Sequence, residues 1–371
     1  MEYKICFVGF GKHILTRRLA QHLAERRHNV HFISFGEVDE KIDWENVTPH
    51  FVKPSFPNYC SFLFPVREIK NIIKKGSFDI LHGFQATNYG LLGARISFSP
   101  YVVSTLGSDI LYTPFAGYGY KNYILQRVVN YTFKKADIIT VETRHAKDFI
   151  VSNFQADTRK LKIFSYGVET NIFKSIGHHN PDKLTIISPR AMEKIYNIDV
   201  IVRAIPSCIQ QYPNLKFTFL AGIGNKKYIK VIENLVSKLN IGNYVRFIED
   251  ILSPPGMVDE FSKASILISI PSTDSLSKSV LEGILCGTIP ILSDIPANRE
   301  IKKMGIPVNF VTKNDHKKLA DKILWTLQNL DKVREEIRTI RGKIEKKCST
   351  DMCVDKLEDI YRGLLTSGRC V

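Results

Sequence analysis

Apolar and polar positions along the chain alternate between two periods. Short apolar runs rich in β-branched and aromatic residues recur, and amphipathic stretches of helical period separate them. "YKICFVGF" (3–10) predicts a first strand, Gly9 and Gly11 a turn, "HILTRRLAQHLAERRH" (13–28) a helix and "VHFISFG" (30–36) a second strand. "FDILHGF" (78–84), "YVVSTLGSD" (101–109) and "ADIITVET" (136–143) continue the series. The second half repeats the plan with "LTIISPR" (184–190), "KFTFLAGIG" (216–224), "YVRFIED" (244–250), "SILISI" (265–270) and "TIPILSD" (288–294). Strands alternating with helices predict α/β architecture with doubly wound parallel sheets. The polar, turn-rich "IFKSIGHHNPDK" (172–183) reads as a linker, so the economical arrangement is two Rossmann-like domains, 1–171 and 184–349, facing a central cleft.

One βαβ unit carries most of the chemistry. After the strand 265–270 comes the polar loop "STDS", then a helical pattern from about 277 to 286 that stops at Gly287. The loop therefore lies at the carboxyl end of a parallel strand, where ligands usually bind in open α/β sheets. Backbone N–H groups near Ser277, Lys278 and Ser279, at the helix start, suit a diphosphate, with Ser275 and Leu276 on its approach. Glu282, flanked by Val280, Leu281, Ile284 and Leu285, is an odd residue to leave in solvent. It suits the vicinal hydroxyls of a ribose, and Asp274 suits hydroxyls further along. "GFGKH" (Gly9, Gly11, Lys12 and His13) resembles a phosphate-cradling turn. However, it has no third Gly, and no Ser or Thr follows the Lys, so a structural βα turn is the stronger reading.

Composition changes this picture in two ways. The 371 residues carry 52 Lys and Arg against 37 Asp and Glu, a formal charge of +15. Such an excess favours polyanions, nucleic acid or an anionic membrane face among them. The seven cysteines are scattered and odd in number, with no CxxC pair, which argues against a disulfide framework or a zinc site and for a reducing cytoplasm. No Asp-x-Asp, His/Cys ligand cluster or GxSxG elbow occurs, so neither metal nor covalent serine chemistry is expected.

Asp274-x7-Glu282 resembles the acidic-x7-acidic signature of GT-B glycosyltransferases of family 4, with Asp where that family usually has Glu. "DILHGF", "STLGSDI", "ADIITVET", "SYGVETNIF" (165–173), "SPRAMEKIYNIDVIVRA" (188–204) and "LCGTIPILSDIPANREI" (285–301) fall in that family's order. The resemblance implies a GT-B fold and a retaining transferase that takes a nucleotide-activated sugar. Its N-terminal half would hold the acceptor and its C-terminal half the donor, and a last helix (350–371) would cross back to the N-terminal domain. By motif, Arg190 would pair with the donor diphosphate; the partner lysine's position falls on Tyr196, with Lys194 two residues earlier. Gly222, in "AGIGN", would leave room for the base or diphosphate. Of the family's His-x-His only His82 remains, Phe84 replacing the second; His82 is either functional or a core histidine at a strand end. Asp109 would be a polar strand-end residue on the cleft. Arg190, Asp274, His82 and Asp109 form the expected catalytic set, with no cofactor or metal.

The acceptor is expected to be a glycan or lipid-linked glycan in cell-surface polysaccharide or glycolipid synthesis. "FLFPVREIKNIIKKGSFD" (62–79) holds a basic amphipathic helix, and residues 111–137 interleave aromatic with basic side chains. Both suit an anionic membrane surface, and core-and-solvent faces explain them nearly as well. The expected location is cytoplasmic, peripheral on the inner face of the cell membrane. The alternatives are a nucleotide-sugar epimerase and a non-catalytic partner subunit; nucleic-acid binding rests on charge alone and has no recognition motif.

Overall fold

The computed structural model describes residues 2–35, 43–52, 66–115, 119–174, 184–312 and 314–367. They form two compact units, Met1–Tyr166 with Asp351–Val371, and Gly167–Thr350.

The first unit runs β1 (Lys4–Gly9), α1 (Ile14–Glu25), β2 (Asn29–Phe35), β3 (Val47–Val52), α2 (Val66–Gly76), β4 (Ile80–Phe84), α3 (Gly90–Ile96), β5 (Tyr101–Ser104), α4 (Ser108–Leu111), α5 (Tyr120–Lys135), β6 (Ile138–Val141), α6 (Arg144–Asn153) and β7 (Leu161–Ile163). Its parallel sheet has the order β3-β2-β1-β4-β5-β6-β7, so the strand order reverses between β1 and β4. β1, β4 and β5 are buried almost throughout, as central parallel strands covered on both faces must be. β3 and β7 were not anticipated, since a three-residue edge strand and the mixed "VTPHFV" carry little apolar periodicity.

The second unit runs β8 (Thr185–Ser188), α7 (Ile198–Gln211), β9 (Lys216–Leu220), α8 (Lys226–Lys238), β10 (Val245–Ile248), α9 (Pro254–Lys263), β11 (Ile266–Ser269), α10 (Lys278–Leu285), β12 (Ile289–Ser293), α11 (Pro296–Lys303), β13 (Asn309–Val311), α12 (His316–Gln328) and α13 (Leu330–Cys348). Its sheet, again parallel, is ordered β10-β9-β8-β11-β12-β13 and reverses between β8 and β11. α10 ends where Gly287 takes a φ of 93°, a conformation that costs glycine least.

Residues 167–174 pack with the second unit: Val168 donates to Cys348 O and accepts from Thr350 N, and Phe173 lies in its core. Gly167 is required there, because a Cβ would sit 2.5 Å from the Thr350 backbone at φ 74°. Of the linker expected at 172–183, positions 175–183 lie outside the described residues.

The last helix, α14 (Thr350–Ser367), completes the first unit. Cys353, Val354, Leu357 and Tyr361 are buried against Ile5, Phe7, Leu19 and Phe84. Arg26 pairs with Asp355 and, at 3.1 Å, with Glu358, whose other oxygen lies 3.0 Å from His28. No helix among the described residues is long and apolar enough to cross a membrane.

Candidate active site

In an open doubly wound sheet the loops spread apart where the strand order reverses, and ligands bind in that crevice. In the second unit the loops after β8 and β11 flank this point and carry Arg190 and Asp274. The Arg190 guanidinium lies 2.9 Å from Asp274 Oδ2, donates to Ser277 Oγ at 2.5 Å and stacks over the Tyr196 ring at 4.1 Å. It is 8% exposed, so all three contacts form where water screens little. Asp274 Oδ1 accepts from Ser275 N at 2.9 Å, which fixes the loop leading into α10.

α10 opens at Ser277 with no side chain capping it. Ser277 is instead the acceptor for Arg190, with Ser279 Oγ 3.4 Å away. Ser275 Oγ is buried without a hydrogen-bond partner. An unpaired buried hydroxyl costs about 1–3 kcal/mol, so a ligand atom there would recover free energy. Leu276 and Lys278 are buried beside it, and Glu282 is half-buried one turn along the helix. The segment thus brings Arg190, Tyr196, Asp274, Ser275, Ser277, Ser279 and Glu282 to one end of one sheet. Among the described residues no three His, Cys, Asp or Glu side chains cluster as a metal site would require.

Of the two candidates for the second basic position, Tyr196 is the one against Arg190. Lys194 is exposed and lines a groove with Asp199, Arg203 and Tyr228. The turn is set by Asn197, at φ 53°, whose amide donates to Ile270 O and ties the β8 loop to the end of β11. Gly222 packs closely against protein: a Cβ there would meet Glu249 O at 2.5 Å. Gly224, at φ 136°, lies against the Met192 backbone, and Asn225 N donates to Met192 O.

The first unit corrects several expectations. His82 is fully buried, its ring bonded to Tyr361 Oη and Ser104 Oγ, each at 2.6 Å. Burial holds the imidazole down at about 3, so it is neutral. With both nitrogens engaged inside the core, His82 fastens α14 to the sheet and has no path to a substrate. Asp109 is buried too, accepting from Ala86 N at 2.7 Å and Leu106 N at 2.9 Å. Burial raises it to about 6, against the pull of those backbone donors. It ties the loops after β4 and β5 and does not face solvent.

Gly9 and Gly11 are likewise packing glycines. A Cβ on Gly9 would touch Phe32 and Phe84 at 3.0 Å, and one on Gly11 would lie 2.6 Å from Ser34 Oγ, which accepts from Gly11 N. Lys12 is exposed. His13, at the N-cap of α1, lies beside a pocket lined with Phe84 and Gln85. Gln85 was not anticipated; its φ of 64° marks a left-handed turn directly after β4, which nothing in the local sequence announces.

The model of the glycosyl transferase 4-like family matches residues 4–143, and that of the glycosyl transferases group 1 matches residues 169–341. A phosphatidylinositol N-acetylglucosaminyltransferase subunit of Arabidopsis thaliana is 19% identical over 80% of this chain, which spans 63% of that relative. N-acetyl-alpha-D-glucosaminyl L-malate synthase of Bacillus anthracis is 20% identical over 96% of this chain and 94% of its own. The fold of Anabaena HepE, solved in complex with UDP-glucose, matches at a TM-score of 0.79 over 98% of this chain and 100% of that one, at 13% identity. The chain is a glycosyltransferase of GT-B fold, its first half matching the glycosyl transferase 4-like family and its second half the glycosyl transferases group 1.

Proposed function

We propose that the enzyme is a retaining transferase moving a hexose or N-acetylhexosamine from a uridine diphosphate donor to a glycan or lipid-linked acceptor. The observation that carries the donor half is the buried Arg190, held by Asp274, Ser277 and Tyr196 at the uncapped start of α10. A guanidinium has five N–H donors, and the two contacts to Ser277 and Asp274 leave others for a diphosphate. The α10 amides add partial positive charge on the same spot. Glu282 takes the ribose hydroxyls, and Ser275 Oγ gains the partner it lacks. UDP as the nucleotide and the N-acetylhexosamine option rest on what the HepE complex and the two relatives are named for.

In the reaction the anomeric C–O bond to the diphosphate breaks as the acceptor hydroxyl adds on the same face, and the departing phosphate takes the hydroxyl proton. Arg190 and the α10 amides stabilise the charge that develops on the diphosphate, so no part is assigned to a metal ion. The first unit holds the acceptor. Hydrolysis of UDP-N-acetylglucosamine, water standing in for the acceptor, tests the stereochemistry. Proton NMR is expected to show the α-anomer of the free sugar appearing first, and β first would contradict retention.

A membrane-facing acceptor half is supported by α5. Tyr120, Tyr123 and Ile124 are 72%, 61% and 50% exposed, Tyr112 and Phe115 lie just before the helix, and α5 contains no acidic residue. Exposed aromatic and basic side chains on one helix suit an anionic lipid interface. The basic helix α2 fits less well, since Ile69 and Ile73 are spent on the core and only its polar face is open. An enzyme so placed would act at the cytoplasmic membrane face in polysaccharide or glycolipid synthesis.

A further inference from the structure

In the first unit the strand order reverses between β1 and β4, the same topological point that carries Arg190 and Asp274 in the second. A pocket of about 130 Å³ lies there, lined by Phe10, His13, Thr16, Phe84, Gln85, Tyr89 and Leu106. A cavity of roughly that size accommodates one six-membered ring. Three features set the pocket's chemistry. None of the described residues lining it carries a formal charge other than the titratable His13. Its walls are largely aromatic, with Phe84 and Tyr89 buried and Phe10 43% exposed at the rim. And His13 Nδ1 is buried without a hydrogen-bond partner, although an unpaired buried nitrogen is costly.

We infer that this pocket is an acceptor subsite for an uncharged, hydroxyl-bearing ring, a pyranose or a cyclitol, with one ring hydroxyl on His13 Nδ1. The inference rests on the reading that the first unit holds the acceptor. A ring of this kind offers an apolar C–H face to Phe84 and Phe10 and hydroxyls at its edge. A hydroxyl both donates and accepts, so it pairs with Nδ1 in either imidazole tautomer. A carboxylate or phosphate only accepts, and none of the described lining side chains is Lys or Arg to offset its charge. Burial lowers the His13 imidazole below its ordinary value, which disfavours the cation that an anionic ligand would need. The left-handed Gln85, whose side chain accepts from Asn88, is a strained backbone position at the pocket wall, as binding sites often hold. The subsite therefore selects against a hydroxy acid such as the malate for which the Bacillus relative is named.

The test uses the full chain with ¹⁵N-labelled histidine, the His13 signal being identified by its loss in His13→Gln. Methyl α-D-glucopyranoside, methyl N-acetyl-α-D-glucosaminide and myo-inositol are titrated separately, against L-malate and glycerol 3-phosphate at matched ionic strength. At least one neutral ring is expected to move the His13 resonances saturably, and neither anion is. His13→Ala, checked for a native spectrum, is expected to weaken that ligand about tenfold, the equivalent of one hydrogen bond. The inference is overturned if no neutral ring moves His13, if an anion moves it as strongly, or if His13→Ala binds the ring as wild type does. A parallel UDP titration separates the two readings: UDP bound with no ring bound sinks the acceptor subsite alone, and UDP unbound sinks the donor reading.

Discussion

On the proposed reading Arg190 concentrates the donor chemistry in one side chain, because its planar fork meets a carboxylate, a hydroxyl and an aromatic face at once. Arg190→Lys keeps the charge and loses the fork, so kcat/KM for donor is expected to fall at least tenfold with the fold intact. Tyr196→Phe retains the ring beneath the guanidinium and is expected to cost little. Tyr196→Ala removes a contact of about 0.5–2 kcal/mol and is expected to raise the donor KM several-fold. Equal loss in both Tyr196 variants would mean that the hydroxyl matters and the stacking does not. Arg190 was placed only by the family motif, whereas Glu282 was legible in the sequence because a charged residue flanked by apolar ones in a βα segment is conspicuous. The burial of His82 and Asp109 was not, since their partners come from Tyr361, Ser104 and the Ala86 and Leu106 amides, distant or unpatterned in sequence.

Among elements, α14 illustrates what a pattern along the chain leaves out. Its helical period is readable, but its seat on the first unit is made by Arg26, His28 and His82, far earlier in sequence. His82 makes that seat sensitive to pH. Its folded value near 3 lies below the ordinary 6.5, so between these limits the unfolded chain binds the extra proton. Stability from this group is complete above about pH 6.5 and is lost as pH falls toward 3, with a slope of up to about 1.4 kcal/mol per unit. Asp109, raised to about 6, runs the other way between roughly 4 and 6, so the two partly offset in wild type. His82→Gln can still hydrogen-bond Tyr361 and Ser104 and does not titrate. Melting curves are expected to show this variant losing less stability than wild type from pH 6.5 to 4. Parallel curves for the two would refute the assignment. The central strands were legible because both faces are buried, and the edges β3, β7 and β13 were missed because theirs are not.

For the molecule as a whole, the net charge of +15 favours anionic partners. The exposed aromatics of α5 sit among Lys121, Arg127, Lys134 and Lys135, a combination proposed here to meet anionic lipid, where each basic residue near the surface would contribute about 1 kcal/mol. Co-sedimentation with phosphatidylglycerol vesicles is expected at low salt, declining as salt rises, and absent with phosphatidylcholine. Tyr120→Ser with Tyr123→Ser is expected to reduce it without altering UDP affinity, whereas binding to both lipids alike would leave the charge without this role. The central claim is that the second unit's switch point, with Arg190 and the start of α10 at its mouth, is the nucleotide site. Calorimetric titration of UDP into wild type and Glu282→Ala tests it most directly. A charged hydrogen bond contributes on the order of 1.5–3 kcal/mol, so the variant is predicted to bind UDP about ten- to a hundredfold more weakly with an unchanged melting temperature. UDP bound equally tightly by both proteins would contradict the account.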